Sequence, residues 1–138
     1  MFNSNVTLEY INKMKKNMVT HLGIEFTEVG KDFISAKMPV DHRTQQPFGI
    51  LHGGASVVLA ETLGSVAANC CIDNETKAAV GLEINANHLK SVRSGFVVGK
   101  VTPFHLGRST HVWQIEIRNE SNDLVCVSRI TISIIDRK

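Results

Sequence analysis

Gly54-Ala-Ser-Val-Val-Leu-Ala-Glu-Thr-Leu-Gly-Ser-Val-Ala-Ala68 is a helix-like run of small and apolar residues that carries one charged side chain, Glu61. No other residue from Thr44 to Ile72 is formally charged. Burying an ionised carboxylate is costly unless it is paired or hydrogen-bonded, and no Lys or Arg stands at helical spacing from Glu61. The run extends to about Cys71 and is apolar nearly all round, which predicts a helix inside the protein rather than on it. That helix is the expected core element.

Upstream of it, Gln46-Pro-Phe-Gly-Ile-Leu-His-Gly-Gly54 supplies a side-chain amide, an imidazole and two glycine N–H groups where the helix begins. The first N–H groups of a helix lack intrahelical partners and sit at the positive end of its dipole, so those of Gly53 and Gly54 are free to hold an oxyanion. Donors therefore precede a lone acid. Taken without them, Glu61 reads as readily as a structural carboxylate, buried and satisfied or set on a solvent-facing edge, as it does as a catalytic one, because such carboxylates occur in structural networks as well as active sites. The donors favour chemistry.

Beyond Asp73-Asn-Glu75 the chain reads as β structure: Ala78 to Asn87, Gly95 to Phe104, Ser109 to Arg118 and Leu124 to Ile135. Val112 to Arg118 and Val125 to Ile134 alternate partly with period two, and Asn119-Glu-Ser-Asn-Asp123 supplies a turn between them. On the N-terminal side, Leu8 to Val19 places apolar residues at 8, 11, 14 and 18, a stripe that predicts a covering helix. Ile24 to Val29 and Phe33 to Met38 read as short strands joined by a turn at Gly30-Lys-Asp32, and Pro39 to Phe48 as a loop. One long helix and several long strands predict an α+β arrangement, a curved antiparallel sheet wrapped around the helix.

The 138 residues suit one domain spanning 1–138. With 43% hydrophobic and 20% charged residues and a net charge of +2, the composition is that of an ordinary globular protein and offers no electrostatic case for nucleic acid. No basic and apolar leader opens the chain, and no stretch approaches the roughly 20 apolar residues that span a bilayer, so a cytoplasmic location and no membrane partner are expected. Cys70, Cys71 and Cys126 show no C-x-x-C spacing and read as small buried residues. The histidines at 21, 42, 52, 88, 105 and 111 form no ligand cluster, so no metal is expected.

Three stretches together resemble the hotdog-fold acyl-CoA thioesterases: Gln46 to Ser65, Gly81-Leu-Glu-Ile-Asn-Ala-Asn-His88 and Val112-Trp-Gln-Ile-Glu-Ile117. Within that family they look most like the bacterial subgroup acting on 1,4-dihydroxy-2-naphthoyl-CoA and related aryl-CoA esters, a step of menaquinone biosynthesis. The resemblance implies a hotdog fold, hydrolysis of an acyl-CoA thioester and no cofactor, coenzyme A being part of the substrate. It puts polarisation of the thioester carbonyl on the Gly53 N–H. Glu61 then attacks the carbonyl directly or serves as general base for a water, and the sequence leaves both routes open. Gln46 and His52 are expected to orient the acyl group or the water, with Ser65 one turn beyond Glu61 on the same helix face.

The positions that bind coenzyme A in that subgroup correspond to His88-Leu-Lys-Ser91 and His105-Leu-Gly-Arg-Ser-Thr110, with Gly81 nearby and Phe48 against the acyl group. Lys90 stands where the subgroup often carries Arg, which keeps the charge and loses the planar fork. Each of these charges alone reads as an ordinary solvated side chain. A hotdog hydratase or dehydratase and a non-catalytic acyl-CoA-binding protein are the alternative readings; Glu61 and the pattern from Gln46 disfavour them.

A helix rises about 1.5 Å per residue, so Glu61 lies roughly 12 Å along the axis from Gly53. One helix cannot bring both to the same carbonyl. Two copies with antiparallel core helices can, which predicts a homodimer with two equivalent shared sites, paired again into a tetramer as hotdog proteins often are.

Overall fold

The computed structural model describes every residue from Met1 to Lys138. The small-residue run forms the long helix α3, Gly53–Asn69, and six strands form a single sheet around it. In chain order α3 follows two short helices, α1 (Leu8–Met14) and α2 (Met18–His21), and two strands, β1 (Glu25–Val29) and β2 (Ile34–Pro39). After it come β3 (Lys77–His88), β4 (Phe96–Leu106), β5 (Thr110–Asn119) and β6 (Leu124–Asp136). The sheet order is β1-β2-β4-β5-β6-β3 with every pairing antiparallel, which is the expected α+β architecture.

Strand periodicity sets which side chains meet the helix. Along β5, His111, Trp113, Ile115 and Ile117 are buried while their neighbours are half-exposed. They pack with Leu59, Leu63 and Ala67 of α3 and with Val97, Val101, Ile130 and Ile132 of the flanking strands, all at 0% exposure. Each large aliphatic side chain so buried stabilises the fold by about 1.5–3 kcal/mol. The helix packs closely on the sheet: a methyl group on Gly99 of β4 would stand 2.6 Å from Leu63 Cδ1 and 3.3 Å from Leu59 Cδ2, so a side chain there would displace these two core leucines.

Two expectations are corrected. The stripe from Leu8 to Val19 is not one helix: α1 ends at Met14, Lys15 turns extended, and Asn17 takes a positive φ of 56° before α2 begins. Of its stripe only Ile11 is buried, so little burial rewards a continuous helix. The core helix is also not enclosed all round. Glu61 is exposed, and Val57, Val58, Thr62 and Ser65 are only half-buried. Small residues suit either a deep interior or a face left open for another surface, and α3 has both.

β3 closes one side of the sheet. It pairs with β6 over its full length, and its other edge carries no strand of this chain. At Gly81, Ile84, Ala86 and His88 it faces α3, because the residues directly opposite, Ile132, Ile130, Ser128 and Cys126, are all buried. The register shifts at a bulge between Gly81 and Glu83. No helix is long and apolar enough to cross a membrane.

Candidate active site

The start of α3 is built by its own preceding loop. Gln46 N–H donates to the Ile50 carbonyl, Gly49 N–H to the Gln46 carbonyl, and His52 N–H to the Thr44 carbonyl, folding residues 44–52 into a tight return. Gly49 sits at φ 78°, a backbone conformation that favours glycine. The Phe48 N–H donates to Gln46 Oε1, which fixes the side-chain amide. With Oε1 turned to the Phe48 N–H, the Gln46 NH2 has no partner within the chain.

His52 is the N-cap of the helix, its Nδ1 accepting from the Gly54 N–H at 2.8 Å. An imidazole that accepts at Nδ1 carries its proton on Nε2, so His52 presents an N–H outward. Of the two glycine donors, then, Gly54 is spent on the cap. The Gly53 N–H donates to no group in the chain. The unspent Gly53 N–H lies at the positive end of a 17-residue helix, with Gln46 beside it on the cleft and His52 capping the next residue. That is a setting for a developing oxyanion.

A cleft of about 370 Å³ opens beside these donors, lined among others by Gln46, Gly53, His88, Leu89, Lys90 and Ser91. The structure thus joins the helix start to one of the two segments matched to coenzyme A. His88 packs tightly on the glycine, since a methyl group there would stand 2.9 Å from His88 Nε2. Lys90 Nζ, on the cleft wall, reaches Asp123 Oδ2 at 2.8 Å. Lysine beside it holds the Asp123 carboxyl below the usual carboxylate range, and Asn119 adds to the effect. Ile50, Leu51 and Val125 complete apolar walls, and Ser56 lies among them. Sequence reasoning passed over Ser56, although its place three residues after Gly53 puts it on the same helix side.

Glu61 is elsewhere. Its Oε2 would lie 3.5 Å from a methyl group on Gly81, which places the carboxylate over that stretch of β3, away from the cleft at His88. No salt bridge or hydrogen bond ties Glu61 to another side chain, and no bond links it to Ser65. Of the two readings of this acid, the exposed edge holds in the single chain.

The segment from His105 to Thr110 lies at the other end of the sheet from His88–Ser91. Thr110 pairs with Ser133 of β6, whereas His88 pairs with Cys126. His105 and Leu106 end β4, Gly107 N–H closes the turn on the Thr110 carbonyl, and Arg108 is near enough to Asp136 to help lower its carboxyl, Lys77 being the main cause. Phe48 is 85% exposed at the tip of the return, so it is neither core nor part of the cleft wall. Each chain therefore carries two separate groups of candidate residues. One holds Gln46, His52, Gly53 and His88 to Ser91; the other holds Glu61, Ser65 and Gly81, towards the end where His105 to Thr110 lies.

One long helix cradled by a single curved antiparallel sheet is the hotdog architecture, and the donors at the helix start equip this example for thioester hydrolysis. The Thioesterase superfamily model matches residues 48–126, and the chain belongs to that family. It is 56% identical over 131 residues to the 1,4-dihydroxy-2-naphthoyl-CoA hydrolase of Escherichia coli K12, covering 94% of this chain and 96% of that one. It is 46% identical over 130 residues to the proofreading thioesterase EntH of Cronobacter turicensis, with 94% of each chain covered. The crystal structure of thioesterase HI1161 from Haemophilus influenzae superposes with a TM-score of 0.93 at 56% identity, over 98% of this chain and 94% of that chain.

Proposed function

We propose that the protein hydrolyses aryl-CoA thioesters, 1,4-dihydroxy-2-naphthoyl-CoA among them, in sites completed by a second copy of the chain. The observation that carries this reading is the pairing of a free Gly53 N–H with an unpartnered Glu61 that the same helix holds too far away to use. A thioester carbonyl polarised by Gly53 of one chain, with Gln46 and His52 as further donors, faces Glu61 of the other. Glu61 either attacks the carbonyl to give a mixed anhydride that water opens, or takes a proton from the attacking water. Both routes add one water and release the carboxylic acid and the coenzyme A thiol.

The free edge of β3 supports a specific assembly. A two-fold axis that joins two β3 edges antiparallel keeps like faces together only if it passes through a residue. An axis at Asn85 sets Ile84 against Ala86 and brings the Gly81 bulge of each chain to His88 of the other. Glu61, over Gly81, then meets Gly53, against His88. The same pairing covers the exposed edge and draws the two candidate coenzyme A segments of different chains together.

The test is release of free thiol from benzoyl-CoA and 1,4-dihydroxy-2-naphthoyl-CoA, followed with a thiol reagent. Stoichiometric thiol with free acid supports hydrolysis. A hydratase or a binding protein releases none, and that result rejects the proposal.

A further inference from the structure

His111 Nδ1 and Trp113 Nε1 are buried without a hydrogen-bond partner in the chain, and the two residues lie side by side on the inward face of β5. Their rings meet edge to face, with centroids 6.0 Å apart. Phe2 lies on Trp113, its ring parallel to within 4° at a centroid distance of 6.5 Å. Residues 1–6 therefore form a strap that starts over this pair and ends at the Thr7 cap of α1. The strap is lightly attached. The Asn3 N–H donates to the Cys70 carbonyl and the Asn3 side-chain amide to the Ile72 carbonyl, and of its six residues only Phe2 and Val6 are even half-buried.

A buried imidazole without a partner is tolerable only while neutral. Protonation makes both ring nitrogens donors, and Nδ1 has nothing to donate to. No carboxylate stands within ion-pair reach of His111. The elements around it supply no other anion. His105 at the end of β4 opposes a second positive charge, and Arg108 in the turn before β5 is itself a cation. Asp136 of β6 is held by Lys77 of β3. At the end of α3, burial pushes the Cys70 and Cys71 thiols up to about 12 and about 11, so neither is a thiolate, and the strap brings the cationic Met1 amino group close to Cys71. A charged His111 must therefore reach water. β5 is paired along both sides, whereas lifting the strap breaks one aromatic stack and the two hydrogen bonds of Asn3.

We infer that residues 1–6 are an acid-responsive strap, closed on Trp113 while His111 is neutral and released when His111 takes up a proton. The strap is tied to the opposite end of α3 from Gly53, and its release needs no substrate. Burial, with His105 adding to it, holds the His111 imidazole below its ordinary value of 6.5 in the closed form, and exposure returns it there. Above that value neither form binds the proton and the strap stays closed. Each pH unit below it favours release by up to about tenfold, until the closed form titrates as well.

Trp113 is the single tryptophan of the chain, so its fluorescence reads the strap directly. Quenching of the wild type by acrylamide should rise as pH falls from 7.5 to 5.5, with the far-ultraviolet circular dichroism unchanged. Phe2→Ala, which loses the stack, should already be quenched at pH 7.5 at least as strongly as the wild type at pH 5.5. His111→Gln stays polar and cannot titrate, so Trp113 should remain protected at both values; His111→Phe takes its place if the glutamine variant does not fold. No acid response in the wild type, or an equal response in the His111 variant, removes the trigger and overturns the inference. Protection of Trp113 in Phe2→Ala at pH 7.5 shows that the strap is not the cover and overturns it too. So does exposure of Trp113 that comes only with loss of circular dichroism, because the whole fold and not the strap has then opened.

Discussion

The His88 imidazole is packed on the Gly53 backbone so closely that a methyl group at Gly53 would stand 2.9 Å from His88 Nε2 and 3.1 Å from Cε1. Glycine is needed here for space, since an added side chain must push the imidazole out of place and narrow the approach to the free N–H. Gly53→Ala should lower kcat/KM by at least about a hundredfold, the scale on which oxyanion donors act. Thermal unfolding should shift by only a few degrees, because the residue lies at a helix start and not in the core. Parallel kinetics and melting curves check this; a variant with near-normal kcat/KM would remove the Gly53 N–H from the mechanism.

Lys90, on the cleft wall, pairs with Asp123 at 2.8 Å, both partly exposed. An exposed pair of this kind contributes little to stability, but its lysine is the cation available to a phosphate entering the cleft. Lys90→Ala should raise KM several-fold with kcat nearly constant, and Asp123→Asn, which frees the lysine, should lower KM. Both differences should shrink as salt is raised, through screening. Steady-state kinetics at low and high ionic strength measure them; equal KM in all three proteins takes Lys90 out of the coenzyme A site.

His111 is buried at 4% exposure beside Trp113, with its Nδ1 unpaired. Burial pushes the imidazole below its ordinary value of 6.5, and His105 adds to this. The unfolded chain therefore binds a proton at His111 more readily than the folded one. Its effect on stability is absent above pH 6.5 and grows as pH falls below that value, destabilising the fold. Melting temperature should drop between pH 7.5 and 5.5 by more in the wild type than in His111→Phe, which cannot titrate. Equal drops in the two proteins would assign the acid sensitivity to other groups.

The strands were legible because β4, β5 and β6 are long and their inward residues alternate with outward ones, so period and composition agree at Trp113, Ile115 and Ile117. The long helix was legible because nothing between Gly53 and Asn69 breaks it and His52 supplies a cap. The interruption at Lys15–Asn17 was not, since neither Gly nor Pro marks it and the bend is set by how α1 meets β1, where Asn12 exchanges hydrogen bonds with the Phe26 backbone. Gly53, Gln46 and His52 could be read as donors from their spacing before the helix. That Gly54 is consumed by the His52 cap is a fact of side-chain direction that no spacing carries. Nor could the sequence show that His88–Ser91 and His105–Thr110 lie at opposite ends of the sheet, which depends on strand order.

A site divided between chains is tested most directly by mixing two defective variants, Glu61→Gln and Gly53→Ala. Glu61→Gln keeps the shape of the side chain and can neither attack nor take a proton, so alone it should turn over at least about a thousandfold more slowly with little change in substrate binding. Unfolded and refolded together in equal amounts, the two variants should recover about a quarter of wild-type activity, because half the dimers are mixed and each mixed dimer carries one intact site. No recovery in mixtures shown to contain the hybrid dimer would mean that Glu61 and Gly53 act within one chain, and would contradict the shared site.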